Sequence, residues 1–178
     1  IALDGATLDL VEPWMAAGKL PTLAHLFEQG AGGVLDSTVP WTTPTAFASV
    51  ATGTNPGKHG VYDFGRLVKE DYTAFVPTNR SDIQGHTLWN LLSEAGIRSG
   101  WVNMPMTFPT EPIDGFMIAG IPYPHKSRRL CWPRDLLHTL RRQGWDLALN
   151  ASEDLGGSYA HYAQGLQRPI RHRTAATT

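Results

Sequence analysis

Short apolar runs alternate along this chain with segments of helical periodicity, and that alternation restricts the fold more than any other feature. Residues 1–3 (Ile-Ala-Leu) are apolar and stop at Asp4-Gly5. A buried parallel strand ends in this way when its last carboxylate emerges at the carboxyl edge of a sheet. Residues 8–17, interrupted by Pro13, and residues 21–29 read as helices. In the second, Pro21 suits a first helical position, Gly30 a C-cap, and Leu23, Leu26 and Phe27 share a face. A second strand is predicted over 33–37 and a helix over 45–51, where Ala46, Phe47, Val50 and Ala51 recur before Thr52-Gly53. The pattern repeats with a helix over 84–95, its face formed by Leu88, Leu91 and Leu92 and its end by Gly96, followed by a strand over 100–103. A strand over 116–119, a helix over 133–142 with basic residues in its last turn, and a weaker helix over 158–167 complete the series. The reading is an α/β fold with a mainly parallel sheet flanked by helices, in which ligands gather beyond the carboxyl ends of the strands. The segments 53–79 and 107–131, rich in glycine and proline, read as loops over that edge.

With 42% hydrophobic residues in 178, the chain can bury the core of one domain or a large piece of one. The first apolar run starts at Ile1 without a methionine, and residues 171–178 carry no helix-ending signal. The expectation is therefore the N-terminal portion of a single catalytic domain, incomplete at both ends. Lys and Arg number 15 against 16 for Asp and Glu, so no overall positive field exists to hold nucleic acid, and any anion must be held by a local site. No run approaches the roughly 20 apolar residues of a membrane span. The single cysteine, Cys131, cannot form an internal disulfide, which favours the cytoplasm while also fitting an unstapled exported domain.

The strongest local feature is Ser37-Thr38-Val39-Pro40-Trp41-Thr42-Thr43-Pro44-Thr45, hydroxyls crowded on a proline-constrained turn before a helix. Thr43 or Thr45 is placed to cap that helix, and capping alone is a sufficient reason for a threonine there. The other reading is chemical. A helix N-terminus offers backbone N–H groups and partial positive charge to a phosphate beside a hydroxyl nucleophile. A threonine hydroxyl is too weak an acid to ionise unaided at pH 7, so a divalent metal would have to coordinate it, with Asp4 as a second ligand.

Leu3-Asp4-Gly5-Ala6, Gly18-Lys19-Leu20-Pro21-Thr22-Leu23, Ser37 to Thr43 and Thr52-Gly53-Thr54-Asn55-Pro56-Gly57-Lys58-His59-Gly60 follow one another in an order similar to the start of the type I phosphodiesterase and nucleotide pyrophosphatase branch of the alkaline phosphatase superfamily. Thr87-Leu88-Trp89, Val102 to Pro109 and Gly115 to Gly120 resemble its bacterial phosphohydrolase and phosphomutase group. The resemblance runs over most of residues 1 to about 145. It implies two divalent metal ions, zinc or in some cases manganese, around the phosphate of a small phosphorylated substrate. It also implies a Thr or Ser that attacks in line to form a phospho-enzyme intermediate. Alignment on Thr52-Gly53 puts Thr43 at the attacking position, where it would also ligate a metal, and Asp4 at the first aspartate ligand.

Where the nucleotide pyrophosphatases carry a phosphate-binding asparagine after His-Gly, this chain has Tyr62-Asp63-Phe64. Asn103, Lys58 and Arg66 are the substitutes, each with an ordinary role as a loop hydrogen-bonder or solvated charge beside it. The family's further ligand motifs, Asp-x-x-x-His and Asp-His-Gly, are absent from the chain. Most metal ligands are thus expected outside it, and the chain alone is expected to be inactive. His25, His138 and His161 fall in predicted helices without a ligand partner at matching spacing, His59 is expected to brace its loop through a backbone hydrogen bond, and His125 sits in a charged run with Lys126, Arg128 and Arg129. Three rival readings stand beside the hydrolase. Cys131-Trp132-Pro133-Arg134 comes close to a sulfatase motif at the wrong spacing, an α/β binding module would need a glycine-rich phosphate loop, and a non-catalytic homologue would keep the fold without the reaction.

Overall fold

The computed structural model describes residues 1–68, 71–124 and 126–144. The helix expected over 158–167, with His161, and His125 lie outside them. The chain forms two compact units, Ile1–Thr38 and a second that starts at Val39.

The first unit is built on two helices, α1 (Leu8–Ala16) and α2 (Pro21–Gln29). Pro13 lies inside α1 instead of interrupting it: it forfeits one amide, and the helix continues because its own carbonyl accepts from the amide of Ala17 at 3.0 Å. Helix α2 starts at Pro21 and has Gly30 as its C-cap, both as the sequence predicts, with Gly30 extended at φ −113° and ψ −160°. Of its predicted apolar face, Leu23 is half-buried while Leu26 and Phe27 stay exposed within this unit. The strands predicted over 1–3 and 33–37 do not form, and Val34 and Leu35 are 84% and 91% exposed. A strand exists only as a rung of a ladder, and the described residues of this unit supply no neighbour to pair with. Asp4 therefore ends no strand; it lies in an exposed turn with Gly5.

Among the described residues, the second unit mixes helices with two small sheets, which is α/β in class. Its elements are α3 (Thr43–Thr52), α4 (Pro56–His59), β1 (Gly65–Val68), β2 (Asp71–Pro77), a 3-10 turn (Arg80–Asp82), α5 (Leu88–Glu94), β3 (Ser99–Met104), β4 (Gly115–Ala119), β5 (Cys131–Trp132) and α6 (Arg134–Arg142). Strands β1 and β2 form an antiparallel pair. In the other sheet β3 runs parallel to β4, and β5 pairs antiparallel with β4. Parallel pairing is thus confined to one pair among the described residues, short of the mainly parallel sheet expected. The stretch 53–79 is not a loop: it holds α4 and the β1–β2 pair. Among the described residues of 107–131, β4 and the start of β5 are the regular elements.

Helix α5 shows why apolar spacing misplaced a face. Leu88 and Leu91 point outward, and the buried residue is Trp89, with the half-buried Leu92 and Ser93 three and four positions on. Its end matches expectation. Gly96 takes φ +69°, its amide donates to the Ser93 carbonyl at 3.0 Å, and the Ile97 amide donates to the Leu92 carbonyl at 2.8 Å. That pair of bonds closes a helix on a left-handed residue, which glycine adopts without steric cost.

The core has three parts. Ile118, Ala119, Leu130, Cys131, Leu137 and Leu140 join β4 and β5 to α6; Ala48, Val61, Ile83 and Met106 gather under α3; Ala51, Trp89, Ile113 and Met117 lie between α3, α5 and β4. Ala48 and Ala51, three apart on α3, have side chains short enough to let its backbone lie close to these clusters. Trp89 meets Trp101 edge-on, with ring centroids 5.3 Å apart. No helix among the described residues is long and apolar enough to cross a membrane.

Polar groups lock this packing. One oxygen of Glu111, Oε1, accepts from Arg80 Nε at 3.0 Å, from Asn90 Nδ2 at 3.3 Å and from the Trp89 indole nitrogen. Arg80 also donates from Nη1 to the Ile83 carbonyl at 3.2 Å and from Nη2 to Asn90 Oδ1 at 3.3 Å, and its guanidinium lies 5.9 Å over the Trp89 ring. Removing the carboxylate leaves a charge and an indole N–H, both largely buried, without their acceptor. Glu111→Ala is therefore expected to lower unfolding free energy by about 3 kcal/mol. Arg66→Ala, which breaks a pair whose arginine is 56% exposed, should cost less than about 1 kcal/mol. Urea unfolding of the two variants checks this; equal losses would refute the distinction.

Candidate active site at the start of helix α3

Thr42, extended at φ −115° and ψ 152°, is the N-cap of α3, and its carbonyl accepts from the Ala46 amide at 3.0 Å. Thr43 is the first helical residue and Thr45 the third, so neither is the N-cap that the sequence implied. The shift follows from Pro44, whose missing amide and fixed φ suit the first helical turn and push the cap back to Thr42. Thr42 does not cap with its side chain. Its hydroxyl is 2.8 Å from that of Thr45 and donates to the Tyr62 carbonyl at 3.3 Å. Thr45 is 0% exposed, so this hydroxyl pair is internal; Thr43 is half-buried.

The glycine- and proline-rich segment after α3 folds back to hold this end. Gly53 ends the helix at φ +64°, and the Asn55 side chain then caps α4 by accepting from the Lys58 amide at 3.2 Å. His59 is buried between the two helices: its Nδ1 accepts from the Val61 amide at 3.1 Å, and its Nε2 lies 2.9 Å from Ser49 Oγ on α3. An acceptor role at Nδ1 requires the neutral ring with its proton on Nε2, donated to Ser49. The expected backbone hydrogen bond is present, and Ser49 is the partner that sequence reasoning missed. Val61 enters the core beside Ala48, and Tyr62 then presents its carbonyl to Thr42.

The other site residues named from sequence lie on separate elements. Asp4 belongs to the first unit and Thr43 to the second. Lys58 is exposed on α4. Arg66, on β1, donates from Nε to Asp82 at 3.1 Å and so braces the hairpin to the 3-10 turn. Asn103 is the extra residue where the β3–β4 register shifts between Val102 and Met104, and it takes φ +58° near the carboxyl end of β3. Gly120 faces it across the sheet, where a Cβ would come within 2.1 Å of the Met104 carbonyl oxygen and 2.7 Å of the Asn103 carbonyl carbon. Only glycine fits that approach.

Among the described residues no three His, Cys, Asp or Glu side chains are grouped to hold a metal ion. His25 and His138 are exposed on α2 and α6. Cys131 is buried in β5 with its thiol pushed up to about 11 by that burial, partly offset by Arg141. A thiol so protonated is a poor nucleophile, and Pro133 beside it is simply the N-cap of α6, so the sulfatase-like sequence has a structural explanation.

Burial disfavours the imidazolium form of His59 and lowers its pKa from the ordinary value near 6.5. As pH falls, the unfolded chain takes up the proton first. The stabilisation from neutral His59 is present in full above about pH 6.5 and is lost below it. NMR titration should give a His59 midpoint below 6.5, and stability should drop from about pH 7.5 to about pH 5 more steeply in wild type than in His59→Gln. A midpoint above 6.5 would contradict the buried, neutral ring.

A model of the type I phosphodiesterase / nucleotide pyrophosphatase family matches residues 1–175. No curated protein and no solved structure matches the chain. The family match covers the threonine turn, the Asn55–Gly60 segment and the β3–β4 bulge alike, and by it the chain belongs to the type I phosphodiesterase / nucleotide pyrophosphatase family.

Proposed function

We propose that the protein is a metal-dependent phosphoester hydrolase in which Thr43 attacks phosphorus and carries the phosphoryl group as a covalent intermediate. The observation that supports this choice of residue is position: Thr43 is half-buried at the first position of α3, at the positive end of the helix, while Thr45 is fully buried and Thr42 lies before the helix as its N-cap.

In the reaction, Thr43 Oγ1 forms a bond to phosphorus as the ester P–O bond breaks, and the alcohol or phosphate leaves with a proton. Water then attacks phosphorus, breaks the Thr43 P–O bond and returns the hydroxyl. Charge on the phosphoryl oxygens develops at the positive end of α3, and Pro44 contributes no amide there. Asn103 and Lys58 are the proposed contacts to the substrate's anionic oxygens. Arg66, with Nε committed to Asp82, can offer only its two terminal nitrogens. The divalent ions of this reading, zinc or manganese, would take Asp4 and Thr43 as two ligands. Two donors do not complete such a site. The substrate class is a small phosphorylated molecule.

In the protein as its gene encodes it, Thr43→Ala should lower turnover of an aryl phosphate or phosphodiester by at least about a thousandfold with an unchanged melting curve. Acid quenching should trap phosphothreonine at position 43 in the wild type. Chelation should abolish turnover, and zinc or manganese should restore it. Wild-type turnover in Thr43→Ala would end the proposal.

A further inference from the structure

A cleft of about 210 Å³ opens in the second unit, away from α3, none of whose residues line it. Three arginines, Arg80, Arg129 and Arg134, line it against a single acidic residue, Glu111. Arg80 and Glu111 are paired with each other and further bonded to Asn90 and Trp89, so together they bring no net charge to the cleft. Arg129 and Arg134 are exposed, and their guanidinium groups make no ion pair with a described residue.

The walls are held in place before any ligand arrives. The Arg129 carbonyl accepts from both the amide and the hydroxyl of Thr110, each at 3.1 Å, while Arg134 is fixed as the first residue of α6. The Trp132 indole nitrogen is committed to the Ile113 carbonyl at 3.0 Å, so at the cleft this side chain offers only ring. The occupant that matches is an anion, and a small one, because the volume lies below the roughly 300–1,000 Å³ of drug-sized pockets. One arginine fork satisfies both oxygens of a carboxylate. Two uncommitted forks around one small cleft call for an acceptor with oxygens on several sides, as a tetrahedral dianion has.

We propose that this cleft is a second anion site that binds a phosphate group, free or as a small phosphate monoester, through Arg129 and Arg134. The site is independent of Thr43 and of the reaction proposed for it.

The test uses the gene-encoded protein carrying Thr43→Ala, so that esters are not consumed, and follows the indole NMR signal of Trp132 at constant ionic strength. Inorganic phosphate and glycerol phosphate are titrated separately. A saturable shift of the Trp132 signal is expected with at least one of them, and the tighter of the two identifies the source. Arg129→Ala and Arg134→Ala should each weaken that binding by about tenfold, with near-UV circular dichroism unchanged because both side chains are exposed. No saturable shift with either anion, or a shift that survives in the double variant, overturns the site. Acetate binding as tightly as phosphate overturns the assignment to a tetrahedral dianion.

Discussion

One carboxylate oxygen, Glu111 Oε1, organises the second unit by collecting donors from Arg80, Trp89 and Asn90. Arg80 and Glu111 are 31 residues apart, so this oxygen ties the 3-10 turn, the first turn of α5 and the segment before β4 at one point. A partly buried charge is costly unless its lone pairs are met, and here the donors that meet them also orient the largest side chain of the core. With its indole nitrogen held, Trp89 has one way to lie against Trp101, Ala51, Ile113 and Met117. The same ion pair, neutralised on the protein side, leaves the adjoining cleft with uncompensated positive charge only at its rim.

A second, smaller network sets the end of α3. His59 couples α4 to the middle of α3 through Ser49 and to the following strand of chain through Val61, and Tyr62 then returns a carbonyl to Thr42. The helix start is thereby fixed from two sides, by its own cap geometry and by a loop anchored farther along α3 at Ser49. A hydroxyl at the first helical position gains a fixed direction from such bracing, which matters for an in-line attack because misplacement by about 1 Å can cost a hundredfold in rate.

Punctuation was the legible part of the sequence. Pro21, Gly53, Gly96 and Pro133 each mark a helix boundary that the structure shares to within a residue or so, since proline and glycine act through local backbone geometry alone. Strands were less legible because pairing is not local. Residues 1–3 and 33–37 have strand composition and no partner, whereas β1 and β2 pair across a segment whose glycines and prolines read as loop. Leu88 and Leu91 satisfied a helical spacing, yet burying Trp89 removes more apolar area, and its hydrogen bond to Glu111 fixes which face turns inward. The site divides in the same way. The motif order carried the bracing role of His59, while the Arg80–Glu111 pair left no trace in local pattern.

The chemistry open to this unit follows from where it has spent its nucleophiles. Its one cysteine is sealed in β5 among Leu130, Leu137 and Leu140, and its raised pKa keeps it a thiol. Of the threonines around α3, Thr45 is inaccessible, Thr52 returns its hydroxyl to the Ala48 carbonyl, and Thr54 is bonded to Thr52. Thr42 is drawn toward Tyr62. Thr43 stands where the field of α3 favours negative charge, and its β-branched side chain has few rotamers in a helix, so its oxygen is held with little conformational freedom to lose. That combination of field and stiffness supports the oxygen nucleophile proposed at Thr43 over the buried thiol of Cys131.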